Sequence, residues 1–152
     1  MKILVDADAC PVKDIIEKVA KKYRLELVLV SNINHLIESA YGEVVVVDGA
    51  SQAADMAIIN RTLTGDIVIT QDYGLASIAL AKGGLALHPL GKQYTEDNID
   101  GLLMQRYINN KVRKAGGRIH GPHKRIAADN SLFEERLTAI INNYAGERKS
   151  LE

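Results

Sequence analysis

Three features of the sequence predict a three-layer α/β/α domain with a mainly parallel central sheet of about five strands, followed by C-terminal helices. Short runs rich in valine, isoleucine and leucine recur at Lys2–Val5, Glu26–Val30, Glu43–Val47, Ile67–Thr70 and Leu85–His88. Segments with apolar residues at helical spacing lie between most of them. The length of 152 residues suits one domain with a real core.

Lys2–Val5 is a short apolar run and reads as a buried strand. Pro11 opens a helix, because proline is tolerated at the first helical position, and Val12, Ile15, Ile16, Val19 and Ala20 give it one apolar stripe. Glu26–Val30 is a second strand and Glu43–Val47 a third, whose valines favour the extended backbone. Asn32–Tyr41 between them is ambiguous, with a short helix as one reading. Ser51 caps a helix through about Leu63 that carries Ala54, Ala57, Ile58 and Ile59. Gly65 breaks that pattern ahead of a fourth strand, Ile67–Thr70. Tyr73–Lys82 is helical and stops at Gly83-Gly84, before the fifth strand at Leu85–His88. Strands alternating with helices imply a parallel sheet. After Pro89 the pattern changes. Thr95 caps a helix to about Ala115, and Gly116–Asp129 reads as a long loop. Ser131 and Glu134 form a capping-box pattern for a last helix ending near Tyr144, and the tail from Gly146 is expected to fray. The core is thus expected over about 1–90 and the C-terminal helices and basic loop over about 91–145 of one domain, with no repeat, low-complexity tract or linker.

Composition is that of a globular protein, with 47% hydrophobic and 25% charged residues. No apolar run reaches the roughly 18 residues needed to span a bilayer, and the first residues enter a strand-like run without a signal-peptide pattern. A single cysteine, Cys10, rules out an intrachain disulfide and suits a reducing cytoplasm. The net charge of zero hides an asymmetry: residues 1–100 carry a net of −5 and residues 101–152 a net of +5. Such a split suggests a metal site beside an anion-binding surface, or simply two solvated surfaces.

Loops that follow parallel strands emerge at one edge of the sheet. Asp6 and Asp8 follow the first strand, Asp48 the third and Asp72 the fourth, while Asp55 lies one turn into the helix after the third. If the first and fourth strands are neighbours where the strand order reverses, Asp6 and Asp72 flank the crevice that usually binds ligands. Carboxylates gathered there repel one another, and an oxygen-seeking cation such as Mg²⁺ relieves the repulsion. A pair of such ions about 3.5–4 Å apart suits water activation in phosphodiester cleavage. Each aspartate also has a structural alternative. Asp72 can cap the helix that begins at Tyr73, Asp6 or Asp8 can close a turn before Pro11, and Asp48-Gly49 is an ordinary turn pair. Helix capping does not explain Asp55, an aspartate one turn inside an apolar stripe.

These residues resemble the YaiI/YqxD family, a bacterial group related to PIN-domain nucleases. The matching stretches are VDADACPVK at Val5–Lys13, DGASQAADMAI at Asp48–Ile58 and GDIVITQDYGLA at Gly65–Ala76. Weaker matches run through Gly91, Asn98-Ile99, Arg113, Gly116, Gly121-Pro122 and Phe133, so nearly the whole chain is covered. The resemblance implies a PIN-like fold, metal-binding carboxylates at Asp6, Asp55 and Asp72, and an accessory acid at Asp8. PIN domains also carry an acid in the helix after the second strand. Glu38 is a poor match for that position.

Lys111, Arg113, Lys114, Arg118, Lys124 and Arg125 form a basic run of the kind that neutralises phosphates, with a solvated loop as the alternative. His120 and His123 within it suit phosphate or solvent contact better than metal. Cys10 precedes a helix that could lower its pKa, although a buried or capping role is the stronger reading. His35 and His88 give no signal.

The leading expectation is a Mg²⁺- or Mn²⁺-dependent nuclease acting on RNA, with Asp6, Asp8, Asp55 and Asp72 at the reacting centre and the basic loop on the backbone. A non-catalytic RNA-binding or regulatory module is the alternative. A third reading takes Asp6-Ala7-Asp8 as the start of a haloacid-dehalogenase-like phosphatase, with Asp66 and Asp72 as its late acids. It ranks below the others because Asp66 precedes the fourth strand and should lie at the opposite edge of the sheet.

Overall fold

The computed structural model describes residues 1–8, 10–50, 52–119, 121 and 124–151. Ser51, His120 and His123, which carry a cap and two phosphate-contact expectations, lie outside the described residues.

The strands are β1 (Lys2–Asp6), β2 (Glu26–Asn32), β3 (Glu43–Val47), β4 (Ile67–Ile69), β5 (Leu85–Leu87) and β6 (Gln93–Tyr94). The helices are α1 (Lys13–Lys22), α2 (Ala53–Arg61), α3 (Tyr73–Ala81), α4 (Glu96–Lys114) and α5 (Ala127–Leu151). One sheet runs in the order β3-β2-β1-β4-β5-β6. The first five strands pair in parallel, and β6 adds an antiparallel edge to β5. β1 and β4 are neighbours, with Val5 opposite Ile69. The chain therefore leaves β1 in one direction through β2 and β3, and builds out in the other direction from β4. The strand order reverses between β1 and β4.

Alternation along the strands divides the core in two. Ile3, Val5, Leu27, Leu29, Ile67 and Ile69 pack under α1 and α5, where Ile16, Val19, Phe133 and Leu137 are buried. Leu4, Val28, Val30 and Val68 face the other way, against Ile58 of α2, Leu75 and Ala79 of α3, and Ile99 of α4. These are the three layers that the sequence predicts. Burial on both faces explains why the strands read as continuous apolar runs.

Several boundaries differ from expectation. Pro11 lies in a turn ahead of α1, whose cap is Val12 and first residue Lys13. Asn32 ends β2, and the rest of the Asn32–Tyr41 stretch is a turn at Ile33-Asn34 followed by irregular backbone with no helix; Asn32 Oδ1 accepts the Asn34 N–H at 2.9 Å. β6 was not foreseen, since two residues are too few to show a period. Thr95 caps α4 as expected, in a capping box with Asn98. The last helix begins at Ala127 rather than Ser131: Asp129 Oδ2 accepts the Ile126 N–H at 2.9 Å and starts it one turn early. Its tail is helical to Leu151 where fraying was expected. Gly65 has φ 86, and a Cβ there would lie 2.3 Å from the Tyr144 hydroxyl of α5, so the residue that ends the α2 pattern also lets the last helix pack against that turn.

Candidate active site

Asp6 is the last residue of β1, and Thr70 follows β4 directly. By alternation Asp6 shares the face of Leu4 and Thr70 that of Val68, so both side chains turn toward the layer of α2, α3 and α4. The Thr70 hydroxyl donates to Asp6 Oδ2 at 3.1 Å and accepts the Asp72 N–H at 2.9 Å. Tyr94 donates its buried hydroxyl to the Thr70 carbonyl at 3.1 Å and fixes the same turn.

Asp72 does cap α3. Its Oδ1 accepts from the N–H groups of Gly74 at 2.8 Å and Leu75 at 3.2 Å. The same oxygen lies 3.3 Å from an Arg106 guanidinium nitrogen of α4. Gly74 keeps this corner open, since a Cβ there would stand 3.1 Å from Asp72 Oδ1. Asp55 falls in the first turn of α2 because that helix starts at Ala53. The helix N-terminus favours an acid there, so Asp55 has the structural rationale that the sequence reading denied it. Asp8 uses both carboxylate oxygens on the Asn32 N–H, at 3.0 and 3.2 Å, and ties the β1 loop to the end of β2. Asp48 is exposed and accepts the Ala50 N–H at 3.0 Å in a turn, as its glycine neighbour suggested.

The acids share one electrostatic field. Asp6 is pushed up to about 6, first by burial and then by Asp55, Asp8 and Asp72, against the Thr70 hydrogen bond that lowers it. Burial and then Asp72 raise Asp55 too, with Arg106 acting in the opposite direction. Asp6, Asp8 and Asp72 line a cleft of about 360 Å³ with Cys10, Gln71 and Arg106. Asp55 opens instead onto an adjoining hollow of about 240 Å³, which shares Asp72 and Arg106 with the first. Arg106 thus stands at the junction of the two. Among the described residues, no three His, Cys, Asp or Glu side chains come close enough to hold a metal ion by themselves. Cys10 is buried and its thiol is pushed up by that burial, which favours the inert reading over a reactive one.

The model of the family described as "Uncharacterized BCR, YaiI/YqxD family" matches residues 4–143. The chain belongs to that family. A UPF0178 protein of Natranaerobius thermophilus is 50% identical over 141 residues, covering 93% of this chain and 96% of the relative. One from Clostridium tetani is 46% identical, with 93% and 97% covered, and one from Clostridium kluyveri is 45% identical over 150 residues, with 97% and 99% covered. No solved structure matches the chain. No helix among the described residues is long and apolar enough to cross a membrane.

Of the basic run in this YaiI/YqxD chain, Arg113 and Arg125 line one cleft of about 540 Å³ next to the acids, together with His88. Lys111, Lys114, Arg118 and Lys124 are exposed and do not line it. Sequence reasoning missed Thr70, Arg106, Asn109 and His88. The α4 residues had a signal: Arg106, Asn109 and Arg113 stand at i, i+3 and i+7 and share one helix face. Thr70 had none, because its partner Asp6 is set by strand pairing, and His88 had none, because the residues that share its cleft come from α4 and the segment before α5. Asp66 is placed at the far end of the sheet, where it accepts from Lys2 N at 3.0 Å and Leu63 N at 2.8 Å and pairs with Lys2 Nζ. That position removes it from any site containing Asp6.

Proposed function

We propose that this protein is a divalent-metal-dependent nuclease that cleaves RNA at the cleft between β1 and β4. The observation that carries this reading is the gathering of Asp6, Asp8 and Asp72 in one cleft, with Asp55 in the hollow that adjoins it, where the strand order reverses. The donor chemistry fits an oxygen-seeking ion such as Mg²⁺ or Mn²⁺ that keeps several waters, rather than a cage closed by protein alone. Asp6, Asp55 and Asp72 are the residues that would hold it through the waters it keeps, since no three acids among the described residues stand close enough to ligate one ion directly, with Asp8 at the margin. When bound, such an ion supplies an acidified water and charge neutralisation.

The remaining work falls to the chain. Thr70 orients Asp6, whose carboxyl is pushed up to about 6 in the metal-free protein by burial and the neighbouring acids, a cost that a bound cation would relieve. The α3 cap fixes Asp72 Oδ1. Arg106 offsets the acids in the free protein and offers a cationic contact to a phosphate drawn into the cleft. The relation of the family to PIN-domain nucleases supports the same reaction class, by fold analogy.

A non-catalytic RNA-binding module is the second reading. It is favoured by one observation: Asp8 and Asp72 already spend hydrogen bonds on the backbone. The deciding experiment incubates the protein with mixed RNA and DNA substrates and Mn²⁺ or Mg²⁺, beside Asp6→Asn. Metal-dependent cleavage, faster on RNA, that drops roughly 100-fold or more in the variant supports the nuclease. RNA binding without cleavage under any metal supports the module.

A further inference from the structure

The cleft that holds Arg113 and Arg125 is separate in chemistry from the acid cleft but joined to it in space. Gln71, Tyr73 and Pro89 line both. Among the described residues, none of the side chains lining the second cleft is acidic. Arg125 donates from Nε to Asn130 Oδ1 at 2.7 Å, while its Nη2 is shut off from solvent with no hydrogen-bond acceptor among the described residues. A desolvated guanidinium nitrogen without an acceptor is costly, and no carboxylate among the described residues pairs with it. Arg125 and Lys92 make the field at His88 positive. Burial holds the His88 imidazole below its usual range, and Arg125 and Lys92 push it further down. His88 Nδ1 accepts the Leu90 N–H at 2.9 Å, which leaves Nε2 as the proton-bearing donor. Asn109 and Arg113 approach from α4, on the helix face that brings Arg106 to the acids. Seven residues of helix separate Arg106 from Arg113, about 10 Å along the axis.

We propose that this second cleft is a phosphate subsite, in which the Arg125 and Arg113 guanidinium groups bind a nucleotide phosphate next to the one presented to the acid cluster. Its volume lies within the range of about 300–1,000 Å³ usual for small-ligand sites. His88 and Asn109 supply neutral donors, and Tyr73 forms the wall that the two clefts share. The assignment rests on the nucleic-acid reading for the identity of the ligand, but not on cleavage or on metal.

The test is therefore made with divalent metal chelated. Inorganic phosphate, a short single-stranded RNA with a 5′-phosphate and the same RNA with a 5′-hydroxyl are titrated into the wild type, Arg125→Gln and Arg113→Gln. Thermal melts confirm that each variant is folded. Arg113 is exposed, so its variant keeps the test open should Arg125→Gln unfold. The expected result is phosphate binding to the wild type that weakens roughly tenfold or more in each folded variant. Tighter binding of the 5′-phosphorylated RNA, lost in the variants, assigns the subsite to a strand end. Equal binding of both RNAs, weakened alike in the variants, assigns it to a backbone phosphodiester. Affinities for all three probes that do not change in the variants overturn the proposal. Cleavage is read separately with Mn²⁺: phosphate binding without cleavage leaves the subsite standing while the nuclease falls, and cleavage without phosphate binding does the reverse.

Discussion

Thr70 donates its hydroxyl to Asp6 Oδ2 at 3.1 Å, joining the residue after β4 to the last residue of β1. That bond favours the charged carboxylate, while burial and the other acids favour the neutral one and prevail. Asp6 therefore protonates at about 6 in the folded protein, against 3.8 for an ordinary aspartate. The sign of the linkage follows. The contribution of Asp6 to stability is fully present below about pH 4 and is lost as pH rises to about 6. Asp6→Asn cannot ionise, so its stability relative to the wild type should improve between pH 4 and pH 7. After allowance for partial solvent screening the gain is about 1–2 kcal/mol. Urea melts of both proteins at the two pH values measure it. A carboxyl titration followed by NMR should also find Asp6 higher still in Thr70→Val.

Asp72 has two duties that one substitution separates. Asparagine caps a helix about as well as aspartate, so Asp72→Asn should leave the apo protein within about 0.5 kcal/mol of wild type, or slightly above it as repulsion is relieved. On the metal reading, Mn²⁺ at about 100 times its Kd should stabilise the wild type by about 3 kcal/mol, and the variant by much less. Thermal melts with and without Mn²⁺ check both expectations. Equal metal shifts in the two proteins would remove Asp72 from the metal set.

The basic surface answers to salt. Replacing Arg113, Arg118 and Arg125 together with alanine should weaken single-stranded RNA binding and reduce the slope of log K against log salt by about 2 if all three meet phosphates. Fluorescence titrations across a salt series give the slope. An unchanged slope assigns these arginines to solvent.

The Lys2–Asp66 pair lies at the opposite edge of the sheet, largely buried on both sides. Burial disfavours the Asp66 carboxylate, but hydrogen bonds from Lys2 and Leu63 outweigh it and hold the group below its usual range. Asp66→Ala strands the lysine and should cost about 3 kcal/mol in chemical denaturation. Because a lowered acid loses its stabilising effect as pH falls toward and below the ordinary aspartate range, the penalty should shrink in acid. Phosphate and Mn²⁺ binding should not change, which a phosphatase role for Asp66 would contradict.

Residue patterning alone specified the layers and most of the strands. Burial on both faces makes β1, β2 and β4 continuous apolar runs, and the helices between them carry stripes of helical period. It also determined that Asp6, Asp8, Asp55 and Asp72 lie near one edge, since that follows from connectivity alone. How they divide the work depends on packing between elements far apart in the chain. Asp55 became a first-turn residue because α2 begins at Ala53, a boundary that the apolar stripe cannot fix to within one turn. Asp8 turned to the Asn32 amide because β2 runs two residues beyond its apolar stretch. Thr70, Arg106 and Arg125 entered the picture through partners 64 residues away, 34 residues away and, for Arg125 Nη2, through a buried place without any partner among the described residues. Local periodicity reports which face of an element is apolar; it carries no record of which polar side chains meet once β1 and β4 pair and α4 packs on α3.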